Sequence, residues 1–394
     1  MNLLEYQAKR LLGRFSIATP IGRVAATETE AFEAARRLGC DRFAVKAQVP
    51  VLDRKKHSGI AFATTPEQVR AHARSMIGKP LVPGDKSAIT DIVQQVLIEE
   101  RIDNVREMYV AVTLDRSAGK LVLLASAAGG EAIEERAAIE PELIRRRELT
   151  LLDNKAVADF ASLAAEITED PGLASMLANL YRDLADAAVA YEATLIEINP
   201  LALTRDGRLI ALDVKMAVDD SALYRRPQLA ALRQENDRIS SSPTELEAQR
   251  FQINYIPLNG DIGIVVNGAG LALATYDLIV DAGGRPANFM DIRTTATSLD
   301  IAHGFSLLLT NPKVKSILVN VHGGGMQRCD TIAEGIGIAL RRHPRQLPIV
   351  ICMAGNNADF ARTILENNGT RYVAAQDMAE AAELVVSLSK RKAA

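Results

Sequence analysis

The spacing of hydrophobic and polar positions divides the chain into two parts with different patterns. In the first part, short alternating segments are mixed with helical stretches, which is typical of an α+β domain. One hairpin is predicted from residues 107–115 and 120–126, and another from residues 194–203 and 208–214. In the second hairpin, Gly207 can supply the positive φ angle that a tight turn requires.

The second part repeats a strand followed by a helix. Three apolar runs, at residues 262–266, 316–321 and 349–353, alternate with helical stretches. This repetition predicts a parallel sheet covered by helices, with ligands bound beyond the carboxyl ends of the strands. Glycine-rich segments follow the strands at residues 267–270, 323–325 and 354–357.

A polar stretch separates the two patterns, and three serines and a proline lie in its middle at residues 240–243. We therefore expect one domain at residues 1–237, a linker at residues 238–247 and a second domain at residues 248–394.

Composition excludes several classes of protein. The 394 residues contain no apolar run of the roughly 18 residues that a membrane span needs. A net charge of -3 and a pI near 6.1 give no electrostatic reason to expect a nucleic-acid partner. The three cysteines show neither zinc spacing nor a disulfide framework, so we expect a reduced, cytoplasmic location. The opening MNLLEYQAKRLL predicts a helix of the mature protein rather than a signal peptide.

Candidate metal ligands lie on the second hairpin. Side chains alternate along a strand, so Glu197 and Asn199 share a face. If the turn is residues 205–207, Asn199 lies opposite Asp213, because their numbers are symmetric about 206. Oxygen ligands of this kind suit Mg²⁺, which completes its shell with water and nucleotide phosphates. The alternative is an exposed hairpin whose polar face meets water.

Lys46 lies in a short apolar strand, VKAQV, at residues 45–49. A buried ammonium group needs an anion such as a phosphate, whereas an outward-facing lysine needs no partner. The basic loop at residues 53–59 can hold phosphate through charge, although such charge runs also form solvated surface.

Nearly the whole chain resembles the β subunits of succinyl-CoA synthetases and related malate–CoA ligases. The motifs that carry the resemblance are LLEYQAKRLL, VKAQV, EMYVAVTLDRS, IEINPL, ALDVKM, ALYRRP, VVNGAGLALAT, GGRPANFMDI and RCDTIAEGI. The resemblance implies an N-terminal ATP-grasp nucleotide-binding domain followed by a flavodoxin-like CoA-ligase domain. It also implies Mg²⁺, with ATP or GTP and CoA as substrates. The implied partner is an α subunit that carries a phosphohistidine and most of the CoA site, since none of the five histidines here matches that role.

The resemblance also assigns residues. It implies that Asn199 and Asp213 hold Mg²⁺, with Glu197 nearby as a catalytic candidate. The implied nucleotide contacts are Lys46, Asp53, Arg54, Lys55, Glu99, Ile102 through its backbone, and Glu107. Asn267, Gly268 and Gly270 open a helix whose amides suit the phosphoryl group in transit. The implied substrate positions are Arg293, Gly324, Gly325, Met326 and Gln327.

Three segments depart from the family pattern. The family loop after VKAQV reads roughly HAGGRGKAGG, but residues 50–59 have lost four of its glycines, and Asp53 and Lys55 occupy such positions. Fewer backbone amides can then approach a phosphate. Arg293 follows the aspartate-containing strand where the family has a triple glycine, and the loop at residues 322–330 is one residue longer. The last two departures predict an acid other than plain succinate. The alternative is that the longer loop bulges outward and Arg293 faces solvent, in which case succinate remains the best substrate.

Three functions are compatible with this pattern. The first is an active ligase that joins an acid to CoA, with succinate, malate and sulfonated acids as candidates and either αβ or α2β2 assembly. The second is a noncatalytic or regulatory paralogue with weakened nucleotide binding. The third, a free-standing ATP-grasp ligase, leaves the second domain without a purpose. ATP binding by this chain distinguishes the first two.

Overall fold

A computed structural model describes residues 1–49, 59–81, 92–130, 133–152, 155–240 and 243–390. The chain divides into two compact units, Met1–Ser240 (unit 1) and Ser241–Ala394 (unit 2). Among the described residues, no helix combines the length and apolar character needed to cross a membrane. The polar stretch expected to be a linker is helical on both sides of residues 241 and 242.

Unit 1 contains seven α-helices and twelve strands in its described residues, besides short 3-10 helices. The helices are α1 (Glu5–Leu12), α2 (Glu28–Leu38), α3 (Pro66–Met76), α4 (Ile133–Ile139), α5 (Phe160–Ile167), α6 (Pro171–Ala190) and α7 (Pro227–Ser240). The strands are β1 (Gly22–Ala25), β2 (Phe43–Ala47), β3 (Ile60–Ala63), β4 (Val96–Glu100), β5 (Asn104–Asp115), β6 (Lys120–Ser126), β7 (Arg145–Glu148), β8 (Thr150–Leu152), β9 (Lys155–Val157), β10 (Ala193–Thr204), β11 (Leu209–Ala211) and β12 (Val214–Val218).

Two sheets form the frame of unit 1. A four-stranded sheet has the order β1-β4-β2-β3, and a six-stranded sheet has the order β11-β10-β5-β6-β7 with β12 also paired to β10. Both predicted hairpins are present, β5 with β6 and β10 with β11. Gly207 has φ 81° in the second turn, as expected. The core lies where α6 packs its apolar face, including Leu177 and Leu184, against sheet residues such as Ile196 and Val110.

The first helix is unusual for what it buries. Helix α1 contributes Leu11 and Leu12 to the core, as its apolar spacing predicts, but it also buries Glu5 and Lys9. The chain before the helix is fixed to β12, because the Leu3 amide donates to the Met216 carbonyl at 2.9 Å. This attachment places α1, with its buried Glu5 and Lys9, beside the segment that precedes β12.

Unit 2 contains a six-stranded sheet covered by helices. Its strands are β13 (Ile253–Pro257), β14 (Ile262–Val266), β15 (Asn288–Ile292), β16 (Ser316–Gly323), β17 (Ile349–Gly355) and β18 (Val373–Ala374). Its helices are α8 (Pro243–Arg250), α9 (Ala269–Asp281), α10 (Ser298–Thr310), α11 (Cys329–Arg342), α12 (Ala358–Asn367) and α13 (Met378–Lys390). The strand order is β13-β15-β14-β16-β17-β18.

The sheet of unit 2 is parallel except at one edge, where β13 runs antiparallel to β15. Alternate residues of β16 face opposite cores: Ile317 and Val319 pack in one cluster with α10 and α11, and Leu318 packs in another with α9 and α13. Both faces of the sheet are therefore covered, which confirms the parallel sheet predicted from the repeated strand–helix pattern.

The turn between β13 and β14 leaves no room for a side chain at Gly260. A Cβ added there would lie 2.0 Å from the Arg285 carbonyl oxygen and 2.1 Å from that of Pro286. We expect Gly260→Ala to lower the free energy of unfolding by about 1–3 kcal/mol, because backbone would have to move. A shift of the urea midpoint of the full chain measures this effect.

Gly270→Ala is the matched control. No atom lies within 4 Å of a Cβ added at this position in the first turn of α9, where alanine is a better helix former than glycine. Its midpoint should stay the same or rise. Equal midpoints for the two variants would contradict the tight approach at Gly260.

Candidate functional site

A cleft in unit 1 brings together residues from its four-stranded and six-stranded sheets. Five of the predicted nucleotide and metal residues line it: Lys46 from β2, Glu99 from β4, Ile102 from the segment after β4, Glu107 from β5, and Asp213 from the segment before β12. Its apolar lining includes Ala44, Ile60 and Phe62. A cleft with one apolar wall and a charged end suits a ligand with a planar base and an anionic tail. Asp53, Arg54 and Lys55 lie outside the described residues.

Lys46 points inward and is buried, which excludes the outward orientation left open by the sequence. Its Nζ lies 2.8 Å from Glu5 Oε1 and 2.9 Å from Glu99 Oε2, and it donates to the Leu212 carbonyl at 2.6 Å. The anion that a buried lysine requires is thus supplied by carboxylates of the chain itself, where a phosphate was expected. Glu99, which was also predicted to contact the nucleotide, is one of these carboxylates and pairs with Lys46.

A second buried lysine completes this arrangement. Lys9 Nζ lies 2.8 Å from Glu5 Oε1 and 2.6 Å from Glu99 Oε1, and it donates to the same Leu212 carbonyl at 2.7 Å. We call Glu5, Lys9, Lys46 and Glu99 the charge cluster. Its two positive and two negative charges balance, which is the condition under which buried ions are tolerated. Sequence reasoning missed Glu5 and Lys9, because an acid and a base four residues apart usually form a surface pair on a helix.

The charge cluster holds Lys46 in its protonated form. Burial opposes the charged state, but the nearby carboxylates of Glu5, Glu99 and Asp213 outweigh burial and raise the pKa of Lys46 above its usual range. Lys46 is therefore a permanent cation at physiological pH.

The predicted pairing of Asn199 with Asp213 is confirmed at the level of the backbone. Strands β10 and β12 pair Ile198 with Val214, and the Asn199 amide donates to the Asp213 carbonyl at 3.1 Å. The Asn199 side chain bonds to the backbone of Gly130, accepting from its amide at 2.7 Å and donating to its carbonyl at 3.3 Å. The side-chain oxygen of Asn199 keeps a second lone pair for another partner.

Glu197 has a charge partner of its own. Lys215 Nζ lies 2.9 Å from Glu197 Oε1, and the two residues are opposite each other in the ladder. The approach is that of an ion pair without hydrogen-bond geometry. Glu197 is buried and does not line the cleft, so its catalytic role stays a prediction.

The oxygen donors present fit Mg²⁺ of the kind that binds together with a nucleotide. Within the described ranges, no group of three or more His, Cys, Asp or Glu side chains could hold a metal ion. One carboxylate and one amide oxygen, on Asp213 and Asn199, remain the candidates. Magnesium ions in nucleotide sites commonly take one or two protein ligands and complete their shell with phosphate oxygens and water.

In unit 2 the predicted phosphate-binding residues lie at the ends of the parallel strands. Asn267 links β14 to β16, because its side chain donates to the His322 carbonyl at 2.7 Å and accepts from the His322 amide at 2.9 Å. Gly268 precedes α9, and its amide donates to Asp291 Oδ1 at 2.6 Å. One amide at the start of α9 is therefore already paired with a carboxylate. Gly270 is exposed in the first turn of the helix.

Arg293 belongs to the same network. Its Nε donates to Asn254 Oδ1 at 3.0 Å, and Asn254 donates to Asp291 Oδ2 at 3.2 Å. Arg293 is exposed but oriented by this chain of contacts, which ends at the Gly268 amide. We predicted no role for Asn254 from the sequence. Its contact with Asp291 follows from the pairing of β13 with β15, which places the two residues opposite each other.

The lengthened loop after β16 exposes some of the predicted residues and buries another. Gly324 and Gly325 are exposed, and Met326 is 72% exposed, whereas Gln327 is only 4% exposed. The Gly324 amide donates to the Gln327 carbonyl at 2.9 Å and closes the loop. The buried Nε2 of Gln327 has no hydrogen-bond acceptor among the residues that the structure describes.

Family models match both units. A model described as an ATP-grasp domain matches residues 2–203, and one described as CoA-ligase matches residues 265–386. These two modules in this order define an acid–CoA ligase, which confirms the fold expected from the sequence.

Similar proteins identify the family. The chain is 41% identical over 390 residues to the β subunit of ADP-forming succinate–CoA ligase from Methylobacillus flagellatus, covering 99% of this chain and 100% of that protein. It is 40% identical, with the same coverage, to the corresponding subunit from Brevibacillus brevis. The chain belongs to the family of ADP-forming succinate–CoA ligase β subunits. A solved structure of ATP citrate lyase from Methanothrix soehngenii, in complex with citrate and coenzyme A, has the same fold, with a TM-score of 0.76, 17% identity and coverage of 98% of this chain and 99% of that one.

The metal assignment predicts the effect of neutralising Asp213. We expect Asp213→Asn to reduce nucleotide turnover by orders of magnitude with the fold intact, because an uncharged ligand holds Mg²⁺ less well. Turnover of the assembled enzyme measured over a range of Mg²⁺ concentrations tests this. Asp206→Asn, in the turn of the same hairpin, is the control and should change nothing. Unchanged activity of Asp213→Asn at limiting Mg²⁺ would remove the residue from the metal site.

Proposed function

We propose that this chain is the nucleotide-binding β subunit of an NDP-forming acid–CoA ligase that works with a separate α subunit. The observation that supports this most directly is the cleft of unit 1, which gathers Lys46, Glu99, Ile102, Glu107 and Asp213. The relatives named as β subunits of succinate–CoA ligase support the two-subunit arrangement.

The overall reaction converts an acid, CoA and a nucleoside triphosphate into acyl-CoA, the diphosphate and phosphate. The terminal phosphoryl group passes to a histidine of the α subunit and then to the acid carboxylate, which becomes an acyl phosphate. The CoA thiol then displaces phosphate and forms the thioester. Phosphoryl transfer depends chiefly on positioning and on stabilising charge, and this chain supplies both.

The described residues have distinct tasks in this proposal. Glu107 and the Ile102 backbone contact the base and ribose. Lys46 provides a positive charge at the end of the cleft that receives the phosphates. Asp213 and Asn199 would hold Mg²⁺, which when bound offsets negative charge on the phosphates. In unit 2, the start of α9 receives the phosphoryl group on its way to the acid.

A noncatalytic paralogue is the second candidate, and the glycine-poor loop at residues 50–59 favours it. Calorimetric titration of the full chain with MgADP and MgGDP separates the two. Saturable binding of either nucleotide supports the ligase and gives the base preference. No binding of either one, by a folded chain, supports the paralogue.

The two-subunit proposal predicts that the purified chain makes no acyl-CoA by itself, because the phosphohistidine and most of the CoA site lie on the α subunit. Coexpression with the α subunit should restore CoA-dependent formation of ADP or GDP. Thioester formation, assayed over a panel of small dicarboxylates and sulfonates, is the measurement. Turnover by this chain alone would reject the two-subunit arrangement.

We infer that the preferred acid carries a polar or anionic group that plain succinate lacks. Two observations support this. The Gln327 amide is buried and its nitrogen lacks an acceptor in the described part of the chain, so a hydroxyl or sulfonate oxygen would give it one if the loop admitted the acid. Arg293 is held by Asn254, and a guanidinium can pair with a second anionic group in a bidentate manner. Met326, by contrast, is too exposed to shape a pocket.

The corresponding prediction concerns substrate ranking. Malate or sulfoacetate should exceed succinate in kcat/KM, and Arg293→Gly should reduce that preference by about 1–3 kcal/mol, as expected for a group that contacts the distal part of the substrate. The measurement is kcat/KM for all three acids in both enzymes. Arg285→Gly, at an exposed arginine before β15, serves as the control. If succinate ranks first and Arg293→Gly leaves the ranking unchanged, the prediction of altered specificity is wrong.

A further inference from the structure

The charge cluster places three oxygen atoms around Lys46. The Lys46 Nζ donates to Glu5 Oε1 at 2.8 Å and to the Leu212 carbonyl at 2.6 Å, and it forms an ion pair with Glu99 Oε2 at 2.9 Å. A phosphate oxygen that binds Lys46 competes with these contacts. The more strongly the carboxylates attract Lys46, the more free energy the exchange requires.

Lys9 controls how strongly the carboxylates hold Lys46. It contacts both Glu5 and Glu99, so each carboxylate is shared between two ammonium groups. Without the charge of Lys9, two carboxylates would face Lys46 alone, and the cluster would carry a net negative charge beside Asp213. Such a cluster would bind Lys46 more tightly and would repel the phosphates of a nucleotide.

Lys9 also fixes the segment that carries the candidate metal ligand. The Leu212 carbonyl accepts from Lys9 at 2.7 Å and from Lys46 at 2.6 Å, and Leu212 directly precedes Asp213. Two charge-assisted hydrogen bonds to one carbonyl hold the peptide in a single orientation. Lys9 does this from outside the cleft, since it is 5% exposed and is not among the residues that line the cleft.

We propose that Lys9 is a positioning residue for the nucleotide, and that it acts by balancing the charge of the carboxylates that hold Lys46 and by anchoring the peptide before Asp213. This inference rests on the proposed nucleotide-binding function. Because Lys9 acts through charge balance, removal of one compensating carboxylate charge should repair its loss.

The test compares Lys9→Met, which keeps the length and loses the charge, with the double variant Lys9→Met/Glu5→Gln, in which Lys46 and Glu99 balance. Calorimetry of the full chain gives the Kd for MgADP. Lys9→Met should weaken binding by about tenfold or more, and the double variant should return to within about threefold of the wild type. Lys120→Met, at an exposed lysine of β6, is the control and should bind as the wild type.

A second readout separates positioning from general damage. In the enzyme assembled with its α subunit, Lys9→Met should raise the KM for the nucleoside triphosphate and leave the KM for CoA unchanged. A folded Lys9→Met variant that binds MgADP within threefold of the wild type overturns the inference, as does a folded double variant that stays tenfold weaker.

If Lys9→Met alone does not fold, the double variant decides. Folding with near wild-type affinity supports the inference, and failure to fold overturns it, because Lys9 would then act in folding rather than through charge balance. Failure of the wild-type chain to bind MgADP is a separate result, which rejects the proposed function itself.

Discussion

The carbonyl of Leu212, shared by two buried ammonium groups, is the contact on which the cleft of unit 1 depends. Lys9 reaches it from α1 and Lys46 from β2, while Glu99 of β4 binds both lysines. One set of contacts thus joins the first helix, the four-stranded sheet and the strand end that carries Asp213. Buried ion clusters add little net stability, but they are intolerant of misplacement because each unpaired charge is costly.

The candidate anion sites of the two units share one feature, which is that a carboxylate of the chain already pairs with the group expected to bind the anion. In unit 1, carboxylates occupy the donors of Lys46, and in unit 2 the carboxylate of Asp291 occupies the amide of Gly268. In each site, a hydrogen-bond donor is thus held in place by a carboxylate of the same chain. In the proposed function, a phosphate group that binds Lys46 or the Gly268 amide competes with a contact already made within the chain, so part of its binding energy is spent on that exchange.

Local sequence patterns predicted much of this structure. They did not predict ion pairs between residues that are far apart in the sequence. The pairing of Asn199 with Asp213 followed from the symmetry of one hairpin, and the parallel strands of unit 2 followed from apolar runs, since both depend on neighbouring residues. The partners of Lys46 did not follow, because Glu5 lies 41 residues away in sequence and belongs to a helix whose charges are ordinarily solvated. The i,i+4 spacing of Glu5 and Lys9 was visible, but their burial was not. The same limit applies to Asn254, whose role depends on an edge strand pairing with β15.

The lengthened loop after β16 shows how one inserted residue can change the chemistry offered to a substrate without changing the fold. The bond from the Gly324 amide to the Gln327 carbonyl closes the loop, so the extra length is taken up by exposed residues, Met326 among them. Gln327, whose carbonyl closes the loop, has its own side-chain amide buried. A buried donor that lacks an acceptor within the described residues costs about 1–3 kcal/mol unless a ligand satisfies it. In the proposed ligase, a substrate oxygen that reached this amide would recover that energy, and an acid that presented only methylene groups there would not.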